Sequence, residues 1–281
     1  IKKSPRVVSL DLCKLNNNTI YERAWLEELF GSSFTIESVY KDTKLDPHDN
    51  IIVALIRSKW LEQFEWLDNL QKAGIKFKVL HFSDELQEDP CFFYSIAEVK
   101  GVLRFYKRNN LPNEKVLTIP LGYHWKVKGS IKPLGERKYT WSFCGTNWKG
   151  RSGELGALEK IEPKLLRYYP DWNDPSQLKE AEYLSLLQDT KFVPCPRGNN
   201  IETFRFYEAI ESGCIPVFTE LPEVLLESGI PFLKTDTWTE VAELMNRLLK
   251  DPIELESYQK SIYNGWLAYK KQLQAKVQAW L

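Results

Sequence analysis

At 281 residues the chain is long enough for about two domains and for burial of about three quarters of its unfolded surface. Lys plus Arg and Asp plus Glu each number 38, so there is no cationic excess of the kind that holds nucleic acid, and any anion site must be built locally. The longest aliphatic run, Ile51 to Ile56, falls far short of the roughly 20 residues that cross a bilayer, and "IKKSPRVVSL" is no signal segment. Five scattered cysteines without a CxxC suit a reducing compartment, so a cytoplasmic chain without a membrane segment is expected.

Short buried runs alternate with amphipathic stretches, which predicts an α/β chain. "RVVSLDL" (6–12) reads as a strand, and Thr19 with Glu22 reads as a capping box opening a helix through Phe30. "FTIESVY" (34–40) and "NIIVALI" (50–56) are strand-like, and a helix follows with Trp60, Phe64, Leu67 and Leu70 on one face, stopping at Gly74. "KFKVLHF" (76–82) and "VLTIPLG" (116–122) are further strands. "YHWKVKGSIKPLGERK" then reads as a linker, placing a boundary near residue 125 between domains 1–125 and 126–281.

The second half restarts with a strand at "YTWSFCG" (139–145) and a helix from about Ser152. "SQLKEAEYLSLLQ" is a helix, "KFVPC" a strand, "TFRFYEAIES" a helix and "IPVF" a strand. "TEVAELMNRLLK" and a long terminal stretch close the chain as helices, the last able to pack back on the first domain. Two open α/β domains suggest a cleft, with ligands beyond the carboxyl ends of strands.

Three places follow strands. In "SFCGTNWKGRSGELG", Gly145, Gly150, Arg151 and Ser152 approach a P-loop with Arg in place of Lys. No Mg²⁺ carboxylate accompanies it, so a P-loop nucleotidase ranks last; what stays open is a phosphate contact through Gly145, Lys149 and Arg151, or a plain strand-to-helix turn. In "FVPCPRGNNIETFRFYEAIESGCIPVF" (192–218), "RGNN" supplies a turn and Thr203 an N-cap. A nucleotide diphosphate could meet Arg197 and Arg205 there while Glu208 accepts ribose hydroxyls; the plainer reading is an Arg205–Glu208 helix salt bridge worth a few tenths of a kcal/mol. In "KVLHFSDELQED", Asp84 and Glu85 are proton-acceptor candidates, with Asp11 as rival and a solvated loop as the plain alternative. His48, His81 and His124 are too scattered for zinc ligands, and no D-x-D tripeptide occurs.

The 192–218 segment resembles the signature of the exostosin-like glycosyltransferases, a P-x-G loop leading to R-[FY]-x-E-A and G-C-[IV]-P-V. "HFSDE", "LRFYKRNN", "TIPLGY" and "YTWSFCGTNWKGRS" resemble further family pieces in the same order. The resemblance implies a GT-B fold of two Rossmann-like α/β domains, a UDP-sugar donor held by the C-terminal half, and inversion at the anomeric carbon. It implies donor contacts from Gly145, Lys149, Arg151, Arg197, Asn199, Thr203, Phe204, Arg205 and Glu208, and Asp84 or Glu85 as the base. Asp11 and Trp148 are acceptor-side candidates, the indole as a stacking face for a glycan. No metal or other cofactor is expected. Family donors include glucuronic acid, galactose and xylose, and xylose is preferred because no spare basic residue is evident for a uronate. Two alternatives remain: a catalytically silent nucleotide- or glycan-binding subunit, and a Golgi-lumenal fragment lacking its anchor.

Overall fold

The computed structural model describes residues 4–15, 20–32, 34–57, 59–82, 84–111, 114–127 and 129–281, the Lys149 side chain excepted. The cap expected at Thr19 lies outside them. The chain divides into two compact units, residues 1–121 with 273–281, and residues 122–272.

The first unit is built on a parallel sheet of β1 (Arg6–Leu10), β2 (Glu37–Val39), β3 (Ile51–Leu55), β4 (Phe77–His81), β5 (Val99–Arg104) and β6 (Val116–Thr118). Their order is β2-β1-β3-β4-β5-β6. All of β3 is buried, as expected of a strand covered on both faces. Helix α1 (Arg23–Phe30) buries Trp25, Leu26, Leu29 and Phe30 and stops at Gly31, whose φ of 67° is the left-handed cap that glycine adopts without strain. Helix α2 (Trp60–Lys72) buries Trp66, Leu67 and Leu70. Trp60 and Phe64, expected on that core face, are half-buried and stack on each other with centroids 5.2 Å apart. The buried Gln63 instead closes the turn after β3, its amide bonding both Ile56 O (2.8 Å) and Ile56 N (3.2 Å).

The second unit carries β7 (Tyr139–Thr146), β8 (Lys164–Tyr169), β9 (Thr190–Pro194) and β10 (Ile215–Val217), all parallel in the order β10-β9-β7-β8. Its helices are α3 (Arg151–Leu155), α4 (Glu180–Gln188), α5 (Phe204–Glu211), α6 (Trp238–Lys250) and α7 (Pro252–Trp280). Thr237 caps α6, accepting from Glu240 N at 3.2 Å. Asp251 caps α7, accepting from Ile253 N and Glu254 N at 3.0 Å, with Pro252 in the first helical position. The last residues of α7 belong to the first unit, where Gln278 donates to Phe30 O (2.6 Å) and Lys78 to Leu281 O (2.7 Å).

Two strands were not anticipated. β5, "VKGVLR", is interrupted by Lys100 and Gly101 and ends on a buried arginine, so it lacks an apolar run. β8, "KLLRYY", is an edge strand, mostly half-buried, without clean alternation. In both sheets the strand order reverses beside the unit's first strand, between β1 and β3 and between β9 and β7. At such a switch point the loops leaving neighbouring strands turn opposite ways and open a crevice.

Candidate functional site

In the second unit the switch point is flanked by Asn147 to Arg151 after β7 and by Cys195 to Arg205 after β9. The β7–β9 register pairs Trp141 with Phe192, so both loops leave the same edge of the sheet. Arg151 and Arg205 converge there. Arg151 is 7% exposed, with Nε donating to Arg197 O (3.1 Å) and Nη1 to Thr146 O (3.0 Å). Arg205 Nη2 donates to Cys144 O (2.9 Å), and its guanidinium lies over the Phe143 ring, 4.3 Å from the centroid. Burial, followed by the charge of Arg205, brings the Arg151 pKa down to about 10. Neither guanidinium forms an ion pair with a carboxylate among the described residues.

Two glycines make this packing possible. A Cβ at Gly145 would stand 2.4 Å from Arg205 Nη2, and one at Gly198 would stand 3.3 Å from Arg151 Nη2. Two polar atoms at the start of α5 are buried without a partner, Arg205 Nε and Thr203 Oγ1. Thr203 has the extended backbone of an N-cap, but its hydroxyl makes no capping bond. Buried cations and orphan donors cost free energy unless something satisfies them, and a multiply charged anion does so.

The Arg205–Glu208 salt bridge is absent, because each side chain goes elsewhere. Glu208 is 4% exposed and its Oε1 accepts from His124 N (3.2 Å) and Trp125 N (3.3 Å), while the Tyr183 hydroxyl also bonds the carboxylate. Burial outweighs these contacts and lifts its pKa to about 6. Expected to face a ribose, Glu208 is turned inward, fastening the start of the second unit to α5. The Arg197 side chain is exposed and reaches Glu220 at 3.8 Å, and its carbonyl accepts from Arg151. Asn199 and Phe204 are half-buried in the same segment, Phe204 beside His124 with centroids 5.8 Å apart. Trp148 is 43% exposed in a 3-10 turn preceding Gly150, whose φ is 85°. The Lys149 side chain is outside the described atoms.

In the first unit, Asp84 is part of a buried ion network. Arg104 Nη2 lies 2.5 Å from its Oδ2 and Arg108 Nη1 3.5 Å, and Asp89 N donates to its Oδ1 (3.0 Å). His81 completes the network, its Nδ1 2.5 Å from the Tyr94 hydroxyl and its Nε2 3.1 Å from Asp89. Burial pushes the His81 pKa down. A carboxylate with both oxygens committed to internal cations and amides is poorly placed to take a proton from a substrate, so Asp84 reads as the brace of its loop. Glu85, the next residue, is half-buried in the turn that Asp84 closes by accepting from Gln87 N at 3.0 Å. Asp11 is exposed and opens the 3-10 turn Asp11–Cys13. Among the described residues, no three His, Cys, Asp or Glu side chains group to hold a metal ion, and no helix is long and apolar enough to cross a membrane.

Two parallel α/β units, each with a switch-point crevice, define the GT-B fold. An α-glucosyltransferase solved with UDP and a 13-mer DNA containing an HMU base superposes with a TM-score of 0.54 at 12% identity, over 98% of each chain. An α1,3-fucosyltransferase superposes with a TM-score of 0.51 at 12% identity, over 97% of this chain and 92% of that one. The sequence profile of the Exostosin GT47 domain matches residues 101–242, half the chain, and the protein belongs to that glycosyltransferase family. It is 30% identical to Exostosin-1c of Danio rerio over 146 residues, 44% of this chain and 19% of that protein. With Exostosin-1 of Mus musculus it shares 27% identity over 150 residues, 46% of this chain and again 19% of the relative. The matched stretch is thus about a fifth of the length of these relatives.

Proposed function

We propose that the protein is an inverting glycosyltransferase whose second unit binds a UDP-sugar and which transfers the sugar to a hydroxyl of a glycan acceptor. The observation that carries this reading is the pair of guanidiniums, the buried Arg151 and the half-buried Arg205, brought together at the β7/β9 switch point without an ion-paired carboxylate among the described residues. A diphosphate matches their charge and can accept from Arg205 Nε and the Thr203 hydroxyl, both otherwise unpartnered. The same cations face the negative charge that develops as the C1–O bond to the diphosphate breaks, a preorganised stabilisation in which a single donor can be worth about 100-fold or more in rate. Because side chains supply this charge, we propose that no metal ion is required. With both cations matched to phosphate, the transferred sugar is proposed to be neutral, with xylose ahead of galactose and glucuronic acid, and Trp148 offers an exposed stacking face for carbohydrate.

The test is UDP release from a panel of UDP-sugars, with and without glycan acceptors, in EDTA and in Mn²⁺. Release that needs a UDP-sugar and persists in EDTA is expected. Tight UDP binding with no release under any condition would mark a binding subunit, and a strict Mn²⁺ requirement would overturn the role given to the arginines.

A further inference from the structure

Of the ten tryptophans, all of them among the described residues, eight are buried or half-buried and two are exposed, Trp148 at 43% and Trp172 at 63%. An indole left in water forgoes the stabilisation its burial would bring, about 25 cal/mol for each Å² of apolar surface. Both exposed indoles lie in loops that follow strands of the second unit, Trp148 after β7 and Trp172 after β8.

Those loops are neighbours. β7 and β8 are parallel, and their register pairs Thr146 with Tyr169, so both loops leave the same edge of the sheet. Asn147 N donates to Tyr169 O (3.0 Å) and Thr146 Oγ1 to Asp171 O (3.2 Å), which ties one loop to the other. Thr146 O accepts from Arg151 (3.0 Å), which ties both to the arginine site. The Trp172 loop is also held in shape by its own bonds. Asp171 Oδ1 accepts from Asn173 N and Asp174 Oδ1 from Ser176 N, both at 2.8 Å. Gln177 Nε2 donates to Asp171 O (3.1 Å) and to Trp172 O (2.7 Å). A loop ordered in advance presents its aromatic side chain to a ligand at little further loss of entropy.

The surroundings of the two indoles decide what that ligand is. Asn147, Ser152, Asp171 and Asn173 beside them are exposed and polar. Protein and lipid partners dock on contiguous apolar surface. A sugar suits an aromatic face with a polar rim, because its C–H face stacks on the ring while its hydroxyls bond the rim. Asp171 gives one printed bond to Asn173 N, and an ionised carboxylate has about four acceptor positions. Charge narrows the class further: residues 170–177 carry Asp171 and Asp174 and no lysine or arginine, so a uronate or sulfate would meet like charge there.

We propose that Trp148 and Trp172 form a binding surface for a neutral glycan on the β7 and β8 loops, and that the glycan held there is the acceptor. The acceptor role rests on the transferase reading given above, whereas the binding stands without it.

The experiment screens wild type, Trp148→Ala, Trp172→Ala and Trp172→Phe on an array of neutral and uronate-containing oligosaccharides, with affinities for xylotetraose, galactotetraose and trigalacturonic acid measured by calorimetry. Neutral glycans should bind in preference to acidic ones. Each alanine variant should bind them about tenfold more weakly, the scale of a lost aromatic stack, and Trp172→Phe should lose less because it keeps a ring. Both alanine variants replace exposed side chains and should remain folded by circular dichroism, with UDP affinity unchanged. In UDP-release assays the defect should appear as a raised KM for the acceptor. Alanine variants that bind neutral glycans as tightly as wild type would overturn the proposal, as would an array on which no neutral glycan binds or acidic ones are preferred. Self-association of wild type that Trp172→Ala abolishes would assign the indoles to an interface between copies and overturn it too. Neutral-glycan binding through Trp172 by a chain that binds no UDP would sink the transferase reading and leave the glycan surface standing.

Discussion

Gly145 and Arg205 are matched to one another: the missing side chain of the glycine is the space occupied by the guanidinium, with Nη2 2.4 Å from where a Cβ would stand. The predicted consequence is specific. Gly145→Ala should force the Arg205 guanidinium from Cys144 O and from the Phe143 ring face. Because the far end of a flexible side chain can move, stability should fall by only about 1 kcal/mol, the scale of one hydrogen bond. UDP affinity should fall about tenfold. Calorimetry with UDP and a denaturant titration separate the two effects.

Glu208 is predicted to act through structure. Glu208→Ala leaves the amides of His124 and Trp125 and the Tyr183 hydroxyl without their acceptor, so it should destabilise the protein by roughly 2 to 4 kcal/mol. Glu208→Gln keeps an acceptor oxygen and should cost distinctly less. Equal losses for the two variants in urea unfolding would contradict the buried arrangement seen here.

Stability should fall as pH rises from about 5 to 8. Glu22 and Glu208 have folded-state pKa values raised to about 7 and about 6 from 4.5. Both groups therefore favour the folded state most when protonated, below the unfolded value, and that contribution is lost as pH rises through the folded values. For Glu22 the shift corresponds to about 3 kcal/mol at one pKa unit per 1.36 kcal/mol. Glu22→Gln should flatten this dependence and be the more stable protein at pH 8, since the amide carries no charge to bury. Unfolding midpoints for the two proteins across that pH range provide the check.

A strand such as Ile51–Leu55 was legible because buried parallel strands read as continuous apolar runs. Val99–Arg104 was not, because its terminal arginine is buried by partners from other segments, Asp84 and Tyr94 among them. The same limit applies at the site. Arg151 and Arg205 could be singled out because each stands at the start of a helix that follows a strand and a glycine-containing turn. The inward aim of Glu208 depends on amides at residues 124 and 125, far away in sequence. Glu22 was hidden by a local pattern that already explained it as a cap, whereas its burial exists only once the first unit has folded around it.

The central claim is that the β7/β9 crevice binds a nucleotide diphosphate through Arg151 and Arg205. Calorimetric titration of UDP into wild type, Arg205→Ala and Arg151→Ala, each first shown to be folded by circular dichroism, tests it most directly. Both variants should bind UDP at least about tenfold more weakly, consistent with the 1.5 to 3 kcal/mol of a charge-assisted hydrogen bond, and the wild-type affinity should drop with added salt. Folded variants that bind UDP as tightly as wild type would contradict the account.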